Sequence, residues 1–92
     1  MTEAAKEWGV SLFVATNGFV WIAKTVTFDG HFYHLSHASV VRRWGTTTGL
    51  NQLIDGPTKE TIIDASAPLV TVTDTATIAI IPCREEKWRG KL

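Results

Sequence analysis

The densest set of groups able to hold a ligand is Arg42-Arg43-Trp44, which runs directly into Gly45-Thr46-Thr47-Thr48-Gly49. A guanidinium grips phosphate or carboxylate through parallel hydrogen bonds, and an indole face stacks a base or another planar ring. Threonine hydroxyls add donors. The next residues, Leu50 to Asp55 (LNQLID), place Leu50, Leu53 and Ile54 at the spacing of one helix face, which predicts a helix of about two turns. Thr48 stands at its N-cap position, with Asn51 three residues on. A helix N-terminus offers free N–H groups and partial positive charge, which suit an anion. Lys59, just past Gly56-Pro57, adds another charge. The candidate ligand-binding residues are therefore Arg42, Arg43, Trp44, Thr46, Thr47, Thr48 and Lys59, and the ligand they suit is small, anionic and nucleotide-like. The same residues have an ordinary use: glycine and threonine make turns, Thr48 caps the helix, and Trp44 plugs the core. The loop is not a P-loop, because the Lys-hydroxyl pair of GxxxxGK[ST] is missing. If Arg42 and Arg43 lie at a strand end, they point to opposite faces and one of them is turned away from the site.

The other chemistry-bearing residues are sparse. His31, His34 and His37 form H-x-x-H-x-x-H. On a strand, alternation sends His34 to the face opposite the other two, so a three-histidine metal site requires a bulge. No acidic or cysteine partner is read beside them, and no metal is expected. Cys83 follows Ile-Ile-Pro at a strand end, the setting of a buried, inert thiol. Asp55, Asp64 and Asp74 fall at turns or strand ends, where carboxylates cap locally. There is no G-x-S-x-G elbow, no H-E-x-x-H and no forced pair of carboxylates. No enzyme and no cofactor is expected.

These residues must be positioned by strands. Val10 to Ala15, Phe19 to Phe28 and His31 to Val41 are rich in β-branched and aromatic residues and are separated by Asn17-Gly18 and Asp29-Gly30, both strong hairpin signals. They predict a meander whose third strand bends near Ala38 and Ser39. Gly56-Pro57 ends the LNQLID helix. Strands follow at Thr61 to Ala65, stopped by Pro68, then at Leu69 to Thr73, turned at Asp74, and at Thr77 to Ile81, the most buried-looking of all. Residues 1–7 read as a short helix-compatible arm, and Arg84 to Leu92 as a short helix or docking tail. The expected fold is mainly β: a small antiparallel barrel or curved sheet of about six strands with one short helix, in a single domain over residues 1–92.

Composition bounds the rest. Ninety-two residues make one domain, and a chain this short buries only about 60–65% of its unfolded surface, so a homo-oligomer is expected. A formal net charge of zero disfavours nucleic-acid binding. A lone cysteine suits a reducing compartment. The polar start lacks a signal peptide, and no apolar run reaches a membrane span, so a cytoplasmic protein is expected. Of four tryptophans, Trp21 reads as core. Trp8 and Trp88, in the polar ends, read either as contacts for a partner or as packing of the termini.

The stretch Ala38 to Cys83 resembles a family of small bacteriophage-encoded β-rich proteins of unknown function. The matching pieces are Arg42-Arg43-Trp44, Gly49-Leu50-Asn51-Gln52-Leu53, Gly56-Pro57-Thr58 and Ile78-Ala79-Ile80-Ile81-Pro82-Cys83, about half the chain. The resemblance implies a β-meander, a glycine-containing loop, a short helix and a closing strand, and it brings no catalytic residues. A phage setting implies action in the host cytoplasm by binding. One form is sequestration of a nucleotide-like immune signal by an oligomer; the alternative is inhibition of a host protein, or a structural phage component, with the exposed tryptophans and charged tail as the contact. A small nucleotide hydrolase is the third form, and it lacks an acid–base pair.

Overall fold

The computed structural model describes residues 6–92. The fold is mainly β, a curled antiparallel sheet closed over half its circumference. Its strands are β1 (Lys6–Trp8), β2 (Ser11–Ala15), β3 (Val20–Ala23), β4 (Thr25–Phe28), β5 (Phe32–Arg43), β6 (Ile62–Ile63), β7 (Ala67–Thr73) and β8 (Thr77–Pro82). Six follow one another in the order β1-β4-β5-β3-β2-β8, while β6 and β7 pair with the second edge of β5. One short helix, α1 (Glu85–Trp88), ends the chain, and 3-10 turns occupy Thr16–Gly18, Leu50–Asp55 and Asp74–Ala76. Among the described residues no helix is long and apolar enough to cross a membrane.

Both expected glycine turns reverse the chain. At Asp29-Gly30 the aspartate carboxylate accepts the N–H groups of His31 and Phe32, at 3.0 and 2.9 Å, and Gly30 takes φ +104°. From there β4 and β3 run along β5 in a single register, Phe28 opposite Tyr33 through to Trp21 opposite Val40. The expected second strand is thus two segments, interrupted at Lys24, whose N–H donates to Ser36 O at 3.0 Å. The bend in β5 is centred on His37, at φ +51°, one residue before the expected position. Inward residues shift phase in both strands at this level: Ala23 and Val26 face the same cluster, as do Leu35 and Ala38. Strict alternation would separate them, so the paired strands bend together.

Two apolar clusters result. Phe13, Ala15, Ala23, Val26, Leu35, Ala38 and Val72, with Trp8, Trp21 and Tyr33 against them, draw on both ends of the sheet and fill the inside of the curl. Val10, Leu12, Val20, Ile22 and Val41 occupy the other face, where Leu53 and Trp88 cover them. Hiding a side chain of this size from water contributes about 1.5–3 kcal/mol.

Several expectations are corrected. Residues 1–5 of the expected arm lie outside the described residues, and Lys6–Trp8 is a strand on β4. Pro68 lies inside β7 instead of ending a segment; it falls opposite His37, the position at which the β5–β7 pairing lapses between Ser36–Leu69 and Ala38–Ala67, so the residue without an N–H stands at a break in the ladder. Ile62–Ile63 is shorter than the expected strand. The apolar run Thr77–Pro82 is an edge strand paired with β2 alone, and Ile78 is 65% exposed. Trp88 is fully buried, so the C-terminal segment packs onto the sheet and does not present an indole to a partner.

Candidate binding site

β5 outlasts its neighbours and carries Arg42 and Arg43 to its end, where Val41 pairs with Ile63 and Arg43 with Ile62 across a register shift. Both guanidiniums are exposed and each finds a carboxylate: Arg42 Nη2 lies 2.6 Å from Asp64 Oδ1, and Arg43 Nη2 3.8 Å from Glu60 Oε1. Exposed pairs of this kind are worth about 0–1 kcal/mol, so an incoming anion displaces them at small cost.

Trp44 follows, and the residue is 42% exposed. It does not plug the core. Its backbone is nonetheless firmly held. Thr61 Oγ1 donates to Trp44 O and Thr58 Oγ1 to Gly45 O, both at 2.7 Å. Gly45, at φ +67°, lies flat against the chain of Glu60 and Thr61; a Cβ there would come within 2.6 Å of Glu60 O and Thr61 N. The Thr58–Thr61 turn that carries exposed Lys59 is thereby docked beside Trp44 and Gly45.

The threonines serve differently from expectation. Gln52 Oε1 accepts the backbone N–H groups of Thr47 and Thr48, at 2.9 and 3.0 Å, and both hydroxyls, at 3.3 and 2.9 Å. Those donors converge on one side-chain oxygen at the surface and are spent on bracing the loop. Thr46 is half-buried beside them. Thr48 is not an N-cap: Gly49 holds that position without a side-chain cap bond. The helix is a 3-10 segment of six residues between two glycines, too short to build the dipole and free N–H row of an anion site. The structure thus brings Arg42, Arg43, Trp44 and Lys59 to one end of the sheet and assigns Thr47 and Thr48 to the loop's interior bonding. Gln52 is the residue that sequence reasoning missed; its signal was a side-chain carbonyl following a run of N–H and hydroxyl donors.

The remaining candidates have local roles. His34 Nε2 is 3.0 Å from Asp29 Oδ2, and Nδ1 is 3.3 Å from Thr71 Oγ1, so the acidic neighbour left out of the sequence reading ties the histidine into its hairpin. This bond, with the two turn amides, holds the Asp29 carboxyl well below the usual carboxylate range. β5 kinks at His37 but keeps its register on either side, and among the described residues no group of three His, Cys, Asp or Glu could hold a metal ion. Cys83 is half-buried with Sγ 3.4 Å from Ile81 O, and burial pushes its thiol up to about 11. Comparison with family models, curated proteins and solved structures finds no match to the chain.

Proposed function

We propose that the chain is a non-catalytic binding module that captures a small anionic, nucleotide-like ligand at the end of β5. The supporting observation is an exposed indole on a rigidly braced loop. Trp44 leaves 42% of its surface in water although four hydroxyl and amide contacts and a glycine packed on backbone fix its loop. A loop ordered this thoroughly around an unburied indole suits recognition better than packing, since the cost of ordering is met before the ligand arrives. Arg42 and Arg43 supply charge beside it, and Lys59 extends the basic rim. Capture here is sequestration: mass action holds the ligand from its receptor and no bond is broken. The lone, unreactive thiol supports a role in a reducing cytoplasm.

Self-association belongs to the same reading. β8 is an uncharged edge, Thr-Ile-Ala-Ile-Ile-Pro, and the exposed Phe19 and Ile78 flank the β2 end next to it. An unprotected apolar edge invites a further strand, and a second copy is the simplest source. Sedimentation of the wild type and of Ile78→Lys tests it; identical masses at micromolar concentration overturn self-association through β8.

The test of the site is thermal unfolding against cyclic dinucleotides, ADP-ribose derivatives and mononucleotides. A binder at about 100 times its dissociation constant adds roughly 2.7 kcal/mol, which raises the melting point of a small domain by several degrees. Arg42→Ala, Arg43→Ala and Trp44→Ala are each expected to reduce that shift and keep the fold. A shift that survives all three changes overturns the site, and no shift with any nucleotide overturns the ligand class.

A further inference from the structure

The inner face of the curl carries an aromatic stack at its open end. Register lines up Ile80, Phe13, Trp21 and Val40 as one apolar row across β8, β2, β3 and β5. Two positions before Trp21, the ring of Phe19 stacks on its indole, with centroids 5.6 Å apart and planes 18° from parallel. Trp21 is half-buried, whereas Phe19 is 51% exposed. Trp21 therefore takes one side of the Phe19 ring and water meets the rest.

The end of β5 turns its arginines toward this stack. Val41 and Ile63 pair with each other and pack into the cluster that Leu53 and Trp88 cover. Side chains alternate along a strand, so Val40, Ile62 and Asp64 point the other way. Arg43 pairs with Ile62 across the register shift, and Arg42 Nη2 lies 2.6 Å from Asp64 Oδ1. Both guanidiniums thus share the face of Val40 and Trp21 instead of pointing to opposite faces, because the extra residue of β5 breaks the alternation. Asp64 N–H donates to Val40 O at 2.9 Å and seats the carboxylate beside the apolar row. The register that sets Trp21 opposite Val40 brings Arg42 level with Phe19, on strands about 4.8 Å apart.

The charges on this face cancel, since Arg42 has Asp64 and Arg43 has Glu60. A neutral ligand leaves those pairs intact. It must offer an apolar face to the Phe19 ring and, on neighbouring atoms, an acceptor for Arg42 and a donor for Asp64. A pyranose does both: the C–H groups of one ring face lie on an aromatic ring, and each of its vicinal hydroxyls donates and accepts. A nucleobase gains most between two rings, and Phe19 has one side free. A proline-rich segment has no N–H for Asp64 at its prolines.

We propose that the Phe19–Trp21 stack binds a neutral pyranoside, with the apolar face of the sugar on Phe19 and a vicinal diol between Arg42 and Asp64. One hydroxyl oxygen accepts from the guanidinium, and the neighbouring O–H donates to the carboxylate. The nucleotide site also uses Arg42, but the two ligands differ over Asp64: an anion displaces its carboxylate, whereas the sugar needs it in place.

The test is an amide and indole chemical-shift titration of the isotope-labelled chain with methyl β-galactoside, and in parallel with sorbitol, galacturonate and adenosine. Saturable shifts are expected at Phe19, Trp21, Val40, Arg42 and Asp64, with the galactoside at least about tenfold tighter than sorbitol or adenosine and no weaker than galacturonate. Phe19→Ala and Asp64→Ala, each shown by its melting point to fold, are each expected to weaken the galactoside at least about tenfold. Shifts that do not saturate or that cluster elsewhere overturn the site. Equal affinity for sorbitol, or tighter binding of galacturonate or adenosine, overturns the ligand class. Unchanged affinity in either variant overturns the role of the residue it removes.

Discussion

The indole of Trp88 donates to the carbonyl of Leu53 at 2.8 Å, and both side chains are completely removed from solvent. The same carbonyl accepts Gly56 N–H at 3.0 Å, so one oxygen joins the last helix to the end of the 3-10 turn. Arg84 reinforces the joint through its N–H on Ile54 O and its guanidinium on Asp55. Two segments far apart in the chain thereby become one lid over Leu12, Ile22 and Val41.

Removing that lid's anchor should be severe. Trp88→Ala is expected to cost roughly 3–5 kcal/mol through lost packing. Trp88→Phe should cost about 1–3 kcal/mol, because Leu53 O keeps its bond from Gly56. Urea unfolding of both variants checks the order. Truncation before Lys87 should likewise lower stability and not merely remove a tail; an unchanged unfolding midpoint would show that the lid carries no stability.

Gly45→Ala should destabilise more than Gly30→Ala. Both glycines have positive φ, which costs an alanine about 1 kcal/mol or more. Around Gly30 the space is open, whereas at Gly45 the new methyl group meets the Glu60–Thr61 backbone. Thermal melts of the two variants provide the comparison, and equal losses would refute the close approach. Gly45→Ala should also weaken nucleotide capture if Trp44 needs its loop intact.

Asp29 links stability to acid. Its carboxyl is depressed first by the His34 hydrogen bond and then by the Phe32 and His31 amides. A depressed acid stabilises the fold fully above its unfolded value, about 3.9, and loses that contribution as pH falls toward the folded value. The stabilities of wild type and Asp29→Ala should therefore converge as pH drops below about 4. Carbon-detected titration should place the Asp29 midpoint well below that of an ordinary aspartate, and His34→Ala should raise it. An ordinary midpoint in the wild type would break the argument.

Cys83 should resist alkylation. With its thiol raised to about 11, the thiolate is scarce at pH 8, and iodoacetamide should react at least about tenfold faster in urea than in the fold. Equal rates would mean an open thiol.

The meander was legible because Asn17-Gly18 and Asp29-Gly30 act locally, each setting a register through its own turn. The fate of Thr77–Pro82 was not. Its composition is that of a central strand, and only the rest of the sheet decides that it lies at an edge. Helical spacing in LNQLID correctly placed Leu53 inward, but two glycines flanking these six residues confined the segment to 3-10 geometry. At the candidate site, the exposed Arg-Arg-Trp run could be read from residue types. The Asp64 and Glu60 partners, and the convergence of Thr47 and Thr48 on Gln52, depend on a fold that brings 42–48 back against 52–64.

The pairing of β2 with β8 also sets an order of events during synthesis. Strands β2 to β5 can zip together as they emerge, since β2 pairs with β3 and β4 with β5, and β1 then joins at β4. One flank of β2, however, waits for Thr77–Pro82, and the face carrying Leu12 waits for Trp88. A nascent chain halted before these residues displays an open strand edge and an uncovered apolar face, the features that attract chaperones and promote clumping. The segment from Thr77 to Trp88 is thus what closes the edge and face of a sticky intermediate.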